Sequence, residues 1–497
     1  AIAAYGVNAY LRTPIEAFPD VTNLQVNVIG QIPGLAPEEI ERRLTVPLER
    51  ALNGVPGAIS MRSESLFGLS LIFITFEDDA DVFRSRMLIQ ERLAIADVPE
   101  QASIELAADA TPLGEVLFVR ISSDRHDLYE LRAAAEWTVP RILRQVPGVA
   151  GVNPFGGYLE EWHVRADPAR LEAHGLTLAE VAEALEQASV NVGGGFMRTG
   201  EQELGIRGVG MATDPEDLAA VVIRREDGLP VVVGDVAQIV QSATPRRGTV
   251  GLNEQSEVVE FVVLMRRGAN PSEVLEELRQ KFDMLEERVL PEGMRLEVVY
   301  DRGRLVDNTL GTVHRSLLEG FLLVLGVVWL FLRMWRGSLI VTVIIPLSLL
   351  SAFIGLHLIG MPANLISMGA IDFGILVDGA VVLVENVLHE MHVSKPKSRR
   401  QILGVVVRAA VDVARPTLYA MAIIIAALVP IFSLERVEGR IFQPLAVTYS
   451  FALIAALVFA FTVVPALLAV SLRAKDAELK EPAFVRWMRE RYRRAVG

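Results

Sequence analysis

Five long apolar stretches, 317–332, 338–359, 364–388, 417–434 and 445–472, dominate the chain after residue 316, each bounded by charged, Pro, Gly or Asn positions. A helix of about 20 apolar residues satisfies its own backbone N–H and C=O groups while matching the thickness of hydrocarbon. The stretches therefore predict five complete transmembrane helices. Residues 12–315 hold no comparable run and mix strand-like with amphipathic helical patterns. With 51% hydrophobic and 22% charged residues, the 497-residue chain fits neither a pure membrane bundle nor a soluble enzyme. Ala1–Leu11 is apolar but too short to span, and it lacks the basic region and cleavage site of a signal peptide, so it reads as the end of a truncated helix.

Charge sets the orientation. Arg333 and Arg336 lie between the first two complete spans, and Lys395, Lys397, Arg399, Arg400, Arg408 and Arg415 lie between the third and fourth. The positive-inside rule puts both connections in the cytoplasm. The uncharged turn at Gly360-Met361-Pro362 and the balanced segment Glu435 to Arg440 suit the other side, so residues 12–315 are expected outside the cytoplasm. In a Gram-negative cell that space is the periplasm.

Within that region one pattern occurs twice. Leu24–Gly30 reads as a strand and Pro37–Asn53 as a helix, with Pro at its start, acids in its first turn and Gly54 beyond its end. Strands near 58–64 and 69–76 and a helix near 81–96 follow, the order of a split βαβ unit. A second copy runs through a strand at 115–121, a helix near 127–145 and strands near 149–154 and 160–165; its last helix and strand appear only at 271–289 and 294–299. Residues 167–257 thus read as an insertion, with a helix near 177–189 and a Gly-rich stretch, Asn191 to Gly200, suited to a long hairpin arm. The fold class is an α+β membrane protein: a transmembrane helix bundle carrying an outer domain of repeated split βαβ subdomains and an inserted subdomain.

The strongest chemical signal lies in the third complete span, the fourth helix if the N-terminal stretch counts as the first. It contains Asp372, Asp378 and Glu385. An acid at the centre of a membrane helix costs about 2.5–3.5 kcal/mol, so such residues normally face a polar interior and move ions or protons. At about 100° per residue, Asp378 and Glu385 return to nearly one face, with Asp372 about a third of a turn away. Burial favours a protonated carboxyl and a nearby cation favours the charged form, so a group placed between the two can load and release protons. The plainer role is bonding between helices. Gly369, Gly374 and Gly379 are expected to admit a close neighbouring helix.

The pattern Asp372-Phe373-Gly374, three residues, Asp378-Gly379-Ala380, three residues, Val384-Glu385-Asn386 resembles the fourth-helix signature of heavy-metal efflux pumps in the resistance-nodulation-division superfamily. More narrowly, it is similar to the branch exporting cobalt, zinc, cadmium and nickel. Multidrug members carry two adjacent aspartates where this chain has Asp378-Gly379, and copper and silver members lack the Asp-Phe-Gly. The stretches Pro14–Asn23, Pro33–Glu39 and Asn191–Gly195 resemble the metal pumps as well. The resemblance implies an inner-membrane, multi-pass, homotrimeric pump with a large periplasmic porter domain, working with a periplasmic adaptor and an outer-membrane channel. This chain would be its N-terminal half, and the C-terminal half would supply a Lys and hydroxyl residues. The implied division is a truncated first transmembrane helix at 1–11, a first porter subdomain at 12–112, a second at 113–166 and 258–306, a docking subdomain at 167–257, transmembrane helices two to six at 307–472 and a cytoplasmic amphipathic segment at 473–497. The proton relay maps onto Asp378, with Asp372 and Glu385 as metal-pump additions. Glu115 stands where the resembling pumps carry a Gly-Glu pair that can place substrate ligands; an ordinary strand-edge acid is the alternative. No resident cofactor is implied, only a divalent ion (zinc, cobalt, cadmium or nickel) as substrate and protons as coupling ion.

Other functions are weakly supported. A net charge of −13 speaks against nucleic acid as a partner, suits a cationic cargo and leaves membrane lipid as the surrounding medium. The absence of cysteine excludes disulfides and thiolate metal sites. Asp372-Phe373-Gly374 also spells a kinase magnesium motif, but no catalytic loop accompanies it, and no nucleophile-and-base set suggests an enzyme. His389 and His392 read as an interfacial pair and His126, His163 and His174 as structural residues. Met61, Met87, Met197, Met211, Met265, Met284 and Met294 are scattered and read as packing residues. Pro346 and Pro430 are expected to kink their helices. Two rival functions remain, export of organic solutes by a pump of the same build and a non-transporting membrane scaffold.

Overall fold

The computed structural model describes residues 2–473, apart from Ala17, Asp227, Arg247 and Ala370, together with 491, 492 and 494. The expected amphipathic segment at 473–497 lies almost wholly outside the described residues.

The short strand β1 (Ile15–Glu16) precedes a four-stranded antiparallel sheet made of β2 (Gln25–Gln31), β3 (Ala58–Leu66), β4 (Leu69–Phe76) and β5 (Ser103–Leu106), in the order β3-β4-β2-β5. A second sheet contains β6 (Glu115–Ser122) and β7 (Val149–Gly156). The inserted region follows, with β8 (Glu160–Ala166), β9 (Val192–Thr199), β10 (Gln202–Gly208), β11 (Val222–Glu226), β12 (Leu229–Val232) and β13 (Ala237–Ala243). The chain then returns to the second sheet through β14 (Val259–Met265) and β15 (Arg295–Asp301), in the order β15-β6-β14-β7. By position within each unit the two sheets have the same strand order, fourth-first-third-second.

Alternation drives both sheets. In β4 and β14 every second side chain is buried, and helices cover that face: 37–52 and Val82–Leu93 on the first sheet, 128–143 and Pro271–Arg288 on the second. The helices at 37–52 and 128–143 share an irregularity. Each contains one wide turn, in which Val46 N–H reaches back to Glu41 O and Val139 N–H to Ala134 O, and each then runs into Pro47 or Pro140. Proline has no N–H for the ordinary helical bond, so a wide turn just before it leaves fewer groups unpaired.

The second sheet differs from the sequence reading in one strand. The stretch expected at 160–165 is β8, and it pairs with β13 in the inserted region, Ala166 opposite Ala237 and Glu160 opposite Ala243. The strand beside β6 and β7 is β14. Its Val259, Phe261, Val263 and Met265 line the core, whereas β8 is Glu-Glu-Trp-His-Val-Arg-Ala, with no fully buried position. A four-stranded sheet with one covered face selects the better apolar alternation.

Among the described residues, five helices are long and apolar enough to cross a membrane. We label the N-terminal helix α1 (Ile2–Arg12) and the spans α2 (Arg302–Leu332), α3 (Trp335–Ile359), α4 (Phe373–Ser394), α5 (Arg399–Leu428) and α6 (Arg436–Ser471). β15 passes into α2 without a connecting residue. The basic connection expected at 395–415 is largely helical: Ser398 and Gln401 form a capping box that starts α5, and Arg399, Arg400, Arg408 and Arg415 lie on the helix. At 30 residues α5 is about 45 Å long against a hydrocarbon core of about 30 Å, so its basic first turns can project beyond the membrane. Pro346 falls just after the break at Val343 that interrupts α3, and Pro430 lies in the tight turn Val429–Ser433 that ends α5. The parallel pairing of β1 with β16 (Ala363–Asn364) ties the end of α1 to the turn that follows α3.

Phe261 is fully buried in the second sheet's core and meets Phe282 edge to face, with ring centroids 6.3 Å apart. Phe261→Ala should cost about 3–5 kcal/mol, the usual range for a large-to-alanine change in a core, read as a lowered unfolding midpoint of the 12–301 region in denaturant. A loss below about 1 kcal/mol would mean that this core is loosely packed.

Candidate functional site

On α4 the side chains divide cleanly. Leu376, Val377, Ala380, Leu383, Val384, Val387 and Met391 are buried against α3, α5 and α6, whereas Asp378, Val382, Glu385 and His389 are exposed along the opposite side. Spacings of four, three and four residues put that exposed set on one stripe of the helix. Asp378 and Glu385 thus share a face, two turns apart. That face is exposed and not an interior among the described residues.

Asp372 differs from expectation. It precedes α4 as its N-cap instead of lying inside the helix, and its Oδ1 accepts a hydrogen bond from Gly374 N–H at 2.8 Å. The apolar run breaks because Leu365–Gly369 forms a short separate helix, so a residue outside helical geometry is needed before α4 restarts, and Asp is among the best for that position. Two of the three glycines also behave differently. A Cβ at Gly379 would meet Thr417 Cγ2 of α5 at 3.0 Å and Ala460 Cβ of α6 at 3.8 Å, the close approach expected. One at Gly374 would meet only Asp372, and one at Gly369 would meet nothing within 4 Å.

Glu115 begins β6, after the tight turn Pro112–Gly114. Its position is fixed by Gly114, where a Cβ would stand 2.6 Å from the carbonyl oxygen of Met265. Glu115 lines a cavity of about 190 Å³ together with Phe18, Leu113, Phe118, Tyr300 and Arg302. Arg302 is only 6% exposed. Nearby, burial raises the Glu16 carboxyl above the usual range; Arg302 opposes that shift and Asp20 adds to it. A carboxylate, a buried guanidinium and three aromatic rings around one small space can hold a cation at Glu115 or the polar end of an organic molecule. Arg302, Phe18 and Tyr300 were not marked by spacing, because with Glu115 they come from three distant segments, near 18, 115 and 300.

The weaker signals stay apart. Among the described residues no group of three or more His, Asp or Glu side chains could hold a metal ion. His126 bonds Ser123 Oγ at 2.9 Å, His163 lies 3.2 Å from Glu161 and His174 lies 3.7 Å from Glu226. Met265 and Met294 belong to the second sheet's core, while Met87, Met197 and Met211 are exposed. The β9–β10 hairpin is exposed at every residue, Phe196 to 75%.

The whole chain, residues 1–497, matches the model of the AcrB/AcrD/AcrF family. The cobalt-zinc-cadmium resistance protein CzcA of Cupriavidus metallidurans is 36% identical over 99% of this chain and 47% of its own length. The cation efflux system protein CusA of Escherichia coli is 35% identical over 95% of this chain and 46% of its own. A heavy metal efflux pump solved by X-ray crystallography, in its second crystal form, superposes with a TM-score of 0.86 at 37% identity, covering 95% of this chain and 46% of that one. The chain spans about half the length of the curated relatives it matches. Fold and sequence together place it in the AcrB/AcrD/AcrF family of resistance-nodulation-division transporters, a family of membrane pumps and not of enzymes.

Proposed function

We propose that this chain is the N-terminal half of a proton-driven pump that exports divalent heavy-metal cations across the inner membrane. The observation that carries this reading is the stripe of Asp378 and Glu385 on the exposed face of α4, uncovered among the described residues. Acids left against lipid are costly, so the stripe calls for a polar cover, which the C-terminal half would provide. Relatives named for resistance to cobalt, zinc and cadmium, and to nickel, cobalt and cadmium, support the cargo. In this reading protons are the coupling ion, the divalent metal is substrate and no cofactor is resident. Asp378 carries the proton, Asp372 caps α4 and biases the relay's field, and Glu385 works near the cytoplasmic end.

The outer sheets would form a periplasmic porter domain. The inserted region would dock neighbouring subunits in a homotrimer, which works with a periplasmic adaptor and an outer-membrane channel. The exposed β9–β10 arm supports that role, because a bare two-stranded ribbon is marginal in water until something covers it. Glu115 would bind the ion on its way out. One observation favours export of organic solutes instead, namely the aromatic lining of the Glu115 cavity by Phe18, Phe118 and Tyr300. Measuring export of a panel of divalent metals and of apolar drugs by the complete pump separates the two readings.

Three outcomes are expected of the complete pump. Asp378→Asn keeps size and most hydrogen bonding but cannot titrate, so it should abolish metal efflux driven by a pH gradient in vesicles while leaving expression intact. Uphill metal transport by that variant would refute the relay. Asp372→Asn preserves an acceptor for Gly374 and should leave stability nearly unchanged, whereas Asp372→Ala should lose about 0.5–2 kcal/mol; equal unfolding midpoints would remove the capping role. Glu115→Ala should weaken zinc or cobalt binding in calorimetry without unfolding the outer domain, and unchanged affinity for every divalent ion would exclude it from the site. For the docking arm, a cross-linker placed at Phe196 should capture another polypeptide in cells; products confined to its own subunit would count against docking.

A further inference from the structure

Residues 18–24 form a strap between β1, at the membrane end of α1, and β2 in the first sheet, and two arginines from distant parts of the chain grip it. Arg440, in the second turn of α6, donates to Val21 O at 3.1 Å and also to Thr22 O, while its other terminal nitrogen pairs with Asp78, in the turn after β4. Arg267, just after β14 in the second sheet, donates to Thr22 O at 3.3 Å and to Asn23 O at 3.2 Å. The Nε atom of Arg267 is buried with no partner among the described residues, so its terminal nitrogens carry the whole grip. One peptide carbonyl, that of Thr22, is therefore shared by an arginine from the membrane bundle and an arginine from the second sheet.

The end of α6 that presents Arg440 is built stiffly. Gln443 Nε2 bonds Leu434 O at 3.1 Å, and Gly439 lies so close to the same carbonyl that a Cβ there would stand 2.4 Å from it. Further along, Leu453, Ala456, Phe459 and Ala460 of α6 pack with Leu376, Ala380 and Leu383 of α4, the helix that bears the acid stripe. One continuous helix, with Pro444 inside it, thus touches the relay helix at its middle and, through Arg440, the strap and the turn after β4 at its outer end. A guanidinium suits such a junction because it is always charged and its planar fork engages several oxygens at once.

The geometry points to Arg440 as the positioning residue that transmits movement of α6, and so of the acid-bearing α4, to the first sheet, with Arg267 keeping the second sheet in step through the shared Thr22 carbonyl. The inference rests on the transport reading above and adds the part that links its two halves. Removing the grip leaves both the acids and the Glu115 cavity in place but separates them mechanically, so protons pass with less metal moved.

The test uses the complete pump in proteoliposomes, with zinc as cargo and dyes reporting zinc efflux and proton influx. Arg440→Ala should lower zinc flux about tenfold at unchanged zinc affinity, while proton influx falls less, so that the ratio of protons to zinc rises severalfold. Arg440→Lys keeps the charge but not the fork and should recover part of the loss. A merely structural role would lower both fluxes together in proportion to folded protein, and an unchanged ratio in Arg440→Ala would overturn the inference. Should that variant fail to accumulate, Asp78→Asn removes the ion pair alone and is read by the same ratio. A wild-type pump that moved no zinc under a proton gradient would refute the transport reading and this inference with it; active wild type beside an unchanged ratio refutes the grip only.

Discussion

A carboxylate facing hydrocarbon costs about 2.5–3.5 kcal/mol, and the membrane part of this chain is organised around that cost. One side of α4 is filled by aliphatic side chains that lock it against α3, α5 and α6; the other side carries Asp378 and Glu385, exposed among the described residues. Gly379 permits the locked side, since it brings α5 and α6 within van der Waals contact of the helix backbone and fixes the rotation of α4 about its axis. Once that rotation is set, the acids can point only one way. The buried and exposed faces of α4 are therefore one decision made by packing, and the chemistry inherits it.

Above the membrane, two sheets of equal strand order rest on the bundle and reach it differently. The first is connected through a strap held by the side chains of Arg440 and Arg267, the second through the direct continuation of β15 into α2. Glu115 sits at the lower end of the second sheet, and the cavity it lines is completed by Arg302 and Leu305 from the first turn of α2. The candidate cargo site is consequently made partly by the membrane helix itself.

Much of this was legible in the sequence because apolar run length and period-two alternation are local properties. The five spans, the first sheet's three long strands and the acid-bearing helix all follow from them. The pairing of β8 with β13 was not legible, since adjacency in sequence favoured 160–165 and the better-alternating 259–265 lay beyond the insertion. The position of Asp372 was misread because Ile371-Asp372-Phe373 continues an apolar run, and only the separate turn Leu365–Gly369 reveals the break. Thr45-Val46-Pro47 and Thr138-Val139-Pro140 were a stronger mark of repetition than the strand pattern, since the same triplet ends the same wide turn in both copies. Arg302 and Arg440 carry no periodic signal, and their neighbours come from far along the chain.

The junction of β15 with α2 carries a further consequence. Asp301 ends the strand and caps the helix, its carboxylate accepting from Gly303 N–H at 2.7 Å and pairing with Arg279 of the helix beneath the second sheet at 2.9 Å. With no flexible residue between strand and span, this joint has no slack. A movement of α2 therefore reaches the second sheet through continuous backbone, whereas a movement of α6 reaches the first through the arginines that hold its strap. Two sheets of the same strand order are thereby joined to different membrane helices, so that α2 and α6 have separate lines of contact to the region outside the bundle.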